Sequence, residues 1–141
     1  ARRGRTVILN SLSSIYTDKT NGNYKRALKK VTQFEQDAIT VVKKESINRI
    51  PIHDILYIEV MNHRVYYHLE NEKIDVFGAL KDVEDQIKNF HFARCNRCYL
   101  VNLSHVRKVQ DDEVYINDER LSISRSQKKS FLEAFVHYLS L

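Results

Sequence analysis

Residues 90–102 read Phe-His-Phe-Ala-Arg-Cys-Asn-Arg-Cys-Tyr-Leu-Val-Asn, with a basic and polar centre between two apolar ends. The ends have the size and β-propensity of residues held in a sheet. The segment also offers hydrogen-bond donors that favour an external partner, on Arg94, Asn96, Arg97 and Asn102. A donor-rich centre with anchored ends is typical of a recognition loop, and the simpler interpretation is a solvated turn between two strands.

The chain that follows this segment is expected to form short strands and one helix. Alternation of apolar and polar residues predicts strands at 106–110, 114–116 and 121–123, separated by turns at 111–112 and 117–118. Ser124 then precedes a final helix, with Gln127 three residues later in a near capping box. The apolar face of this helix is expected to comprise Phe131, Leu132, Phe135, Val136 and Leu139.

The chain before the segment predicts an antiparallel meander and a short helix. Leu80, Val83 and Ile87 have helical spacing after Gly78. Strands are expected at 39–42, 52–60, 64–69 and 73–77, with Pro51 between the first two and turns at 61–63 and 71–72.

The first 37 residues have a different character and are expected to be a linker or helical extension from a missing upstream domain. Helical spacing runs from Val7 to Tyr16 and, more clearly, from Tyr24 to Gln36, where lysines and arginines lie opposite the apolar stripe. The chain begins with Ala and lacks a signal-like apolar run, which indicates a fragment of a longer protein. The domain proper is expected over residues 38–141.

Composition restricts the class of protein. A chain of 141 residues can bury a core without metal or disulfide, and no apolar run approaches the ~20 residues of a membrane helix. A cytoplasmic protein without membrane contact is the expectation. Residues 1–50 carry 11 Lys/Arg against 4 Asp/Glu, and residues 51–141 carry 12 against 14. A DNA-binding role for the larger part therefore requires its cations to cluster and the acidic run Asp111-Asp112-Glu113 to point elsewhere.

Two cysteines raise the question of metal or catalysis. Cys95 and Cys98 form a C-x-x-C with His91 and His105 nearby, so a zinc-stabilised fold or enzyme is one alternative. The histidines have no motif spacing, and residues three apart on a strand point to opposite faces. Nothing suggests an oxyanion site or a glycine-rich phosphate loop. The sequence therefore predicts no cofactor and no enzyme activity.

Three polar segments suggest contact with nucleic acid: 62–64, 96–97 and 124–126. The guanidinium groups of Arg97 and Arg125 can pair bidentately with guanine, and His63 can donate to a base edge or a phosphate. Backbone or supporting contacts are expected from Arg64, Asn96, Ser124, Ser126, Lys128 and Lys129. The simpler interpretation of each of these side chains is a polar group that is solvated at the protein surface.

From about residue 38 to the end, the chain resembles the LytTR DNA-binding domains, the output modules of AgrA- and AlgR-type bacterial response regulators. An ordered series of motifs carries the resemblance: Ile55-Leu-Tyr-Ile-Glu59 with His63-Arg64, Phe77-Gly-Ala-Leu80, Phe92-Ala-Arg94 with Leu100-Val-Asn102, and Ser122-Ile-Ser-Arg125.

The resemblance implies a mainly β, elongated domain of short antiparallel sheets that inserts loops into successive major grooves of bent DNA. It places base or backbone contacts at His63, Arg97 and Arg125. Asn96 stands where the family commonly has His, and Cys98 where it commonly has Ser, so the family's base preference need not transfer.

The sequence therefore predicts sequence-specific binding of double-stranded promoter DNA by a two-component transcriptional regulator, as a homodimer on paired half-sites. Besides the zinc alternative, the chain could be a protein-interaction module that docks through its basic N-terminal helix. RNA is a weaker alternative, because no aromatic pair on a strand resembles an RNA-binding signature.

Overall fold

The structure is a computed structural model that describes residues 37–141 and the backbone of residues 5–8. The chain divides into two compact units, one ending at Asp54 and the other comprising Ile55–Leu141. Within the described residues, no helix is long and apolar enough to span a membrane.

The first unit contains a three-stranded antiparallel sheet in the order β1-β2-β3, with β1 at Arg5–Ile8, β2 at Ala38–Lys43 and β3 at Ser46–Pro51. The β-branched run in β2 buries Ile39 and Val41 completely, as expected for a central strand. Strand β3 was not predicted. It is an edge strand that ends at Pro51, where a missing N–H is tolerated.

Two predictions in this unit need correction. A strand was expected from Ile52, whereas Ile52–Asp54 form a 3-10 turn. A helix was expected from Val7, whereas Val7 and Ile8 pair with β2. The rest of that helix and the helix expected over Tyr24–Gln36 lie outside the described residues.

The second unit is built on a five-stranded antiparallel sheet in the order β6-β5-β4-β8-β7. Its strands are β4 (Tyr57–Met61), β5 (Arg64–His68), β6 (Lys73–Phe77), β7 (Phe92–Asn96) and β8 (Tyr99–Asn102). The predicted meander is confirmed. The segment at 90–102 is a β-hairpin, so its apolar ends are strands and its basic centre contains the turn.

Apolar residues of this sheet and of the helix that follows β6 are buried. Helix α1 (Leu80–Gln86) contacts β4 and buries the predicted Leu80 and Val83, with Ile87 just beyond it. Val65 and Tyr67 alternate on one face of β5 and are buried, as their period-two spacing indicated. The short middle helix is thereby confirmed.

A second core joins β7 and β8 to the remaining elements: a 3-10 turn (Leu103–His105), strands β9 (Val106–Gln110), β10 (Glu113–Ile116) and β11 (Glu119–Ser122), and helix α2 (Arg125–Leu139). The three strands form a sheet in the order β11-β10-β9. Cys95, Val114 and Phe131 are completely buried in this core. One apolar cluster therefore fixes the hairpin at 92–102, the last sheet and the final helix relative to one another.

Helix α2 differs from its prediction in two respects. Ser124 is the N-cap residue, but its side chain makes no capping bond, and the Gln127 amide instead donates to the Ser124 carbonyl at 3.1 Å. Phe131 is buried as expected, whereas Val136 and Leu139 are 61% and 65% exposed. The apolar stripe is buried only where the helix faces β7.

Candidate nucleic-acid interface

Three loops lie at one end of the five-stranded sheet: the β4–β5 turn at 62–63, the β7–β8 turn at 97–98 and the β11–α2 junction at 123–126. We call them together the loop end. The Val60 amide donates to the Cys98 carbonyl at 2.9 Å, which places the first two turns side by side. The Ser124 amide donates to the Cys95 carbonyl at 2.9 Å, which attaches the third loop to the second.

The β4–β5 turn presents His63 to solvent. Asn62 and His63 have φ of 53° and 65°, and two positive φ values in a two-residue hairpin are characteristic of a type I′ turn. Asn and His are among the residues that enter this region most often. The His63 carbonyl accepts a bond from the Gly78 amide at 3.0 Å, so the turn is held against the chain after β6.

The β7–β8 turn is organised by Asn96. Its side-chain oxygen accepts from the Cys98 amide at 2.8 Å, and its side-chain nitrogen donates to the Ser122 carbonyl at 2.8 Å. One side chain thus closes the turn and links it to the end of β11. Arg97 is left at the tip, exposed to solvent.

The two cysteines of the C-x-x-C have opposite environments. A bulge between Arg94 and Asn96 sends the Cys95 side chain into the core, where burial raises the pKa of its thiol to about 12. Cys98 is exposed. No group of three or more metal-ligating side chains occurs among the described residues.

The β11–α2 junction brings hydroxyl groups and a cation to the same end. Arg125, the first residue of α2, is exposed, and the hydroxyl oxygens of Ser124 and Ser126 lie 3.4 Å apart. Because no side chain caps the helix, its first amides stay available to an external acceptor. A helix start with free amides and hydroxyl groups is suited to a phosphate oxygen.

The predicted cations fall into two groups. His63, Arg97, Arg125 and Lys129 are exposed and have no side-chain partner within the described part of the chain. Arg64 is held by Asp75 at 2.7 Å and lies over the Phe77 ring, 4.6 Å from its centroid. Lys128 lies 2.5 Å from a carboxylate oxygen of Asp112. Arg64 and Lys128 are therefore already paired with carboxylates.

The pairing of Lys128 corrects one expectation. The acidic run at 111–113 was expected to point away from the cations, yet Asp112 contacts the first turns of α2. The β9–β10 turn is folded against this helix start because the Ile123 amide donates to the Asp112 carbonyl at 2.8 Å. Negative charge thus borders the loop end.

A groove of about 450 Å³ opens between the three loops. Residues from every side line it: Glu59, Val60, Met61, Asn96, Arg97, Cys98, Tyr99, Ser124 and Ser126. Met61, Cys98 and Tyr99 line this groove although the sequence did not indicate them as site residues. The available signal for Met61 was an apolar residue directly before the Asn62-His63 turn.

Comparison with known proteins identifies the family of this chain. Residues 45–135, more than half of the chain, match the model of the LytTr DNA-binding domain. The chain belongs to the LytTR family. This family is non-enzymatic, and DNA binding is implied at the level of the family.

This chain is also similar to individual proteins. Over 104 residues, 69% of this chain, it is 30% identical to the transcriptional regulatory protein YpdB of two Escherichia coli strains, O6:H1 and K12. This LytTR chain spans less than half the length of those relatives, 42% and 43%. The LytTr DNA-binding domain of a methyl-accepting/DNA response regulator from Bacillus cereus has the same fold, with a TM-score of 0.62 and 21% identity over 70% of this chain and 95% of that one.

Proposed function

We propose that this LytTR domain binds double-stranded promoter DNA sequence-specifically, as the output domain of a bacterial two-component response regulator in the cytoplasm. Its loop end reads successive major grooves, with Arg97 and Arg125 contacting guanine edges and His63 contacting a base or phosphate. The observation that supports this most is the joining of three cation-bearing loops by backbone hydrogen bonds at one sheet end. Rigidly placed donors lose little freedom on binding.

The remaining predicted contact residues differ in whether their side chains already bind another residue of the protein. Ser124, Ser126 and the first amides of α2 are proposed to bind phosphate, together with Lys129. Asn96 acts by holding Arg97 in place, since both ends of its side chain are bonded within the protein. Arg64 and Lys128 contribute less than the unpaired cations, because a phosphate must compete with Asp75 and Asp112 for them.

A dimer on paired half-sites is part of the proposal. Duplexes with one or two copies of the preferred half-site distinguish the possibilities by the stoichiometry of the complex. Two chains on the longer duplex and one on the shorter support the proposal, and one chain on both contradicts the dimer.

Selection of bound duplexes from a random pool, followed by sequencing, tests the readout directly. We expect enrichment of a short motif containing guanines, and binding that weakens steeply with salt. Recovery of random sequences would contradict sequence-specific binding.

The cysteines allow a second test of where DNA lies. Because Cys95 is buried and holds its proton, a thiol reagent at neutral pH should label Cys98 alone, and a selected duplex should slow that labelling. A random duplex at the same concentration is the control, and Cys98→Ser should abolish labelling while keeping DNA binding. Equal labelling rates with and without the selected duplex would place DNA away from the loop end.

A further inference from the structure

The groove at the loop end contains an apolar surface that the proposed base and phosphate contacts do not use. Met61 is 50% exposed, although it ends a strand whose other apolar residues are largely buried. Its neighbours in the groove include Tyr99, which packs edge-on against Tyr57 with ring centroids 5.6 Å apart. A partner from outside the described residues is therefore needed to bury the exposed surface of Met61.

The position of Met61 is fixed relative to Arg97. Val60, the residue before Met61, donates its amide to the Cys98 carbonyl, and Cys98 follows Arg97. Met61 and Arg97 both line the groove. A molecule contacted by Arg97 is thus within reach of the Met61 side chain.

The charged side chains that line the groove determine which kind of ligand group can bind beside Met61. Glu59 lies on β4 beside Val60 and Met61 and pairs with His68 at 2.8 Å, so a phosphate on the β4 side of the groove would approach a carboxylate, whereas Ser124 and Ser126 line the groove from the β11–α2 junction. An uncharged base edge is better matched. In the major groove of DNA, the 5-methyl group of thymine is the apolar feature that proteins read by packing. A thioether side chain is flexible enough to adapt to it.

We infer that Met61 determines specificity for a thymine next to the base read by Arg97, by packing against its 5-methyl group. This inference rests on the proposed function. Phosphate contacts elsewhere in the loop end would supply affinity, and Met61 would supply discrimination at one base pair.

The test uses the 141-residue chain and a duplex selected from the random pool, in which each thymine is replaced in turn by deoxyuridine. Loss of one buried methyl group should weaken binding about four-fold, corresponding to roughly 0.8 kcal/mol, at one position in each half-site. Met61→Ala should weaken binding to the thymine duplex by a similar factor and make that position insensitive to deoxyuridine.

Matched variants separate this effect from general damage. Val136→Ala removes a similarly exposed apolar surface in the second half of α2 and should retain the full sensitivity to deoxyuridine. Met61→Leu keeps the apolar contact and should retain part of the discrimination, which covers the case in which Met61→Ala folds poorly.

The outcomes are distinguishable. Specific binding that is equal with thymine and deoxyuridine at every position overturns this inference and leaves the proposed function intact. Deoxyuridine sensitivity that persists in Met61→Ala also overturns it, because another residue then reads the methyl group. Failure to select any motif would instead overturn the proposed function.

Discussion

The two ends of the five-stranded sheet differ in how their charges are used. At the end opposite the loop end, the β5–β6 and β10–β11 turns border a larger cleft of about 660 Å³. Acidic side chains line that cleft: Glu70, Asp118 and Glu119. At the loop end the groove is smaller, but unpaired cations project beside it. Available positive charge, and not cavity size, distinguishes the end suited to DNA.

The basic side chains that line the opposite cleft, Arg107 and His68, already have partners. Arg107 donates to the Asn117 carbonyl at 3.4 Å. His68 pairs with Glu59 and stacks on Tyr57 with ring centroids 4.1 Å apart. Burial and the nearby Glu119 raise the pKa of the Tyr57 hydroxyl, which therefore stays neutral. The side chains at this end make contacts within the protein, so this end attracts phosphate only weakly.

The largest expected effect comes from deleting the unpaired arginines. Arg97→Ala or Arg125→Ala should cost about 1–3 kcal/mol of specific binding and relax discrimination at one base pair. Arg107→Ala, at the opposite end, is the matched control and should change binding little. Titration of selected and random duplexes measures both. Equal weakening on the two duplexes by Arg97→Ala would assign Arg97 to phosphate and not to a base.

Asn96→Ala should act through stability of the loop end. It removes bonds to the Cys98 amide and the Ser122 carbonyl, and we expect a loss of about 1–2 kcal/mol in the free energy of unfolding. Urea titration measures this loss, with the exposed Asn71→Ala as control. Asn96→Asp keeps the acceptor for Cys98 and should lose less. An unchanged stability in Asn96→Ala would show that the turn does not depend on this side chain.

Substitutions at His63 allow effects on folding stability and on DNA binding to be measured separately. Because φ at His63 is positive, His63→Gly should relieve a conformation that is unfavourable for most side chains, and should match or exceed the stability of the original chain. His63→Ala should be less stable than His63→Gly by about 1 kcal/mol. Both should weaken DNA binding by removing the imidazole. Retained affinity in both variants would exclude His63 from the interface.

The smallest effect is expected at the border between the acidic turn and α2. Asp112→Asn removes a negative charge near the loop end and releases Lys128, so binding to all duplexes should tighten by less than about 1 kcal/mol, with a steeper salt dependence.

Lys129→Ala should lower the salt slope by about 1, and Lys128→Ala by less because Lys128 is already paired. Equal slopes for the two lysine variants would show that the ion pair does not persist in the complex.

Local patterns predicted much of this architecture. Alternation at 64–68 and 73–77 identified β5 and β6, helical spacing of Leu80, Val83 and Ile87 identified α1, and Asn62-His63 marked a turn. These features depend on side-chain periodicity and backbone preference over a few residues, which the sequence displays directly. Strand β3 was missed because half-exposed edge strands alternate weakly.

The arrangement of the candidate site required the tertiary structure. Side-chain chemistry in the sequence indicated Arg97 and Arg125 as donors to guanine and His63 as a donor to a base or phosphate, and the resemblance placed contacts at the same three positions. Spacing along the sequence could not show three contacts of the site. Asn96 bonds a carbonyl 26 residues away, Asp112 pairs with Lys128, and Met61 shares a groove with Arg97. Such contacts depend on how a common core packs β7, β11 and α2 together, and packing joins residues that are distant along the chain.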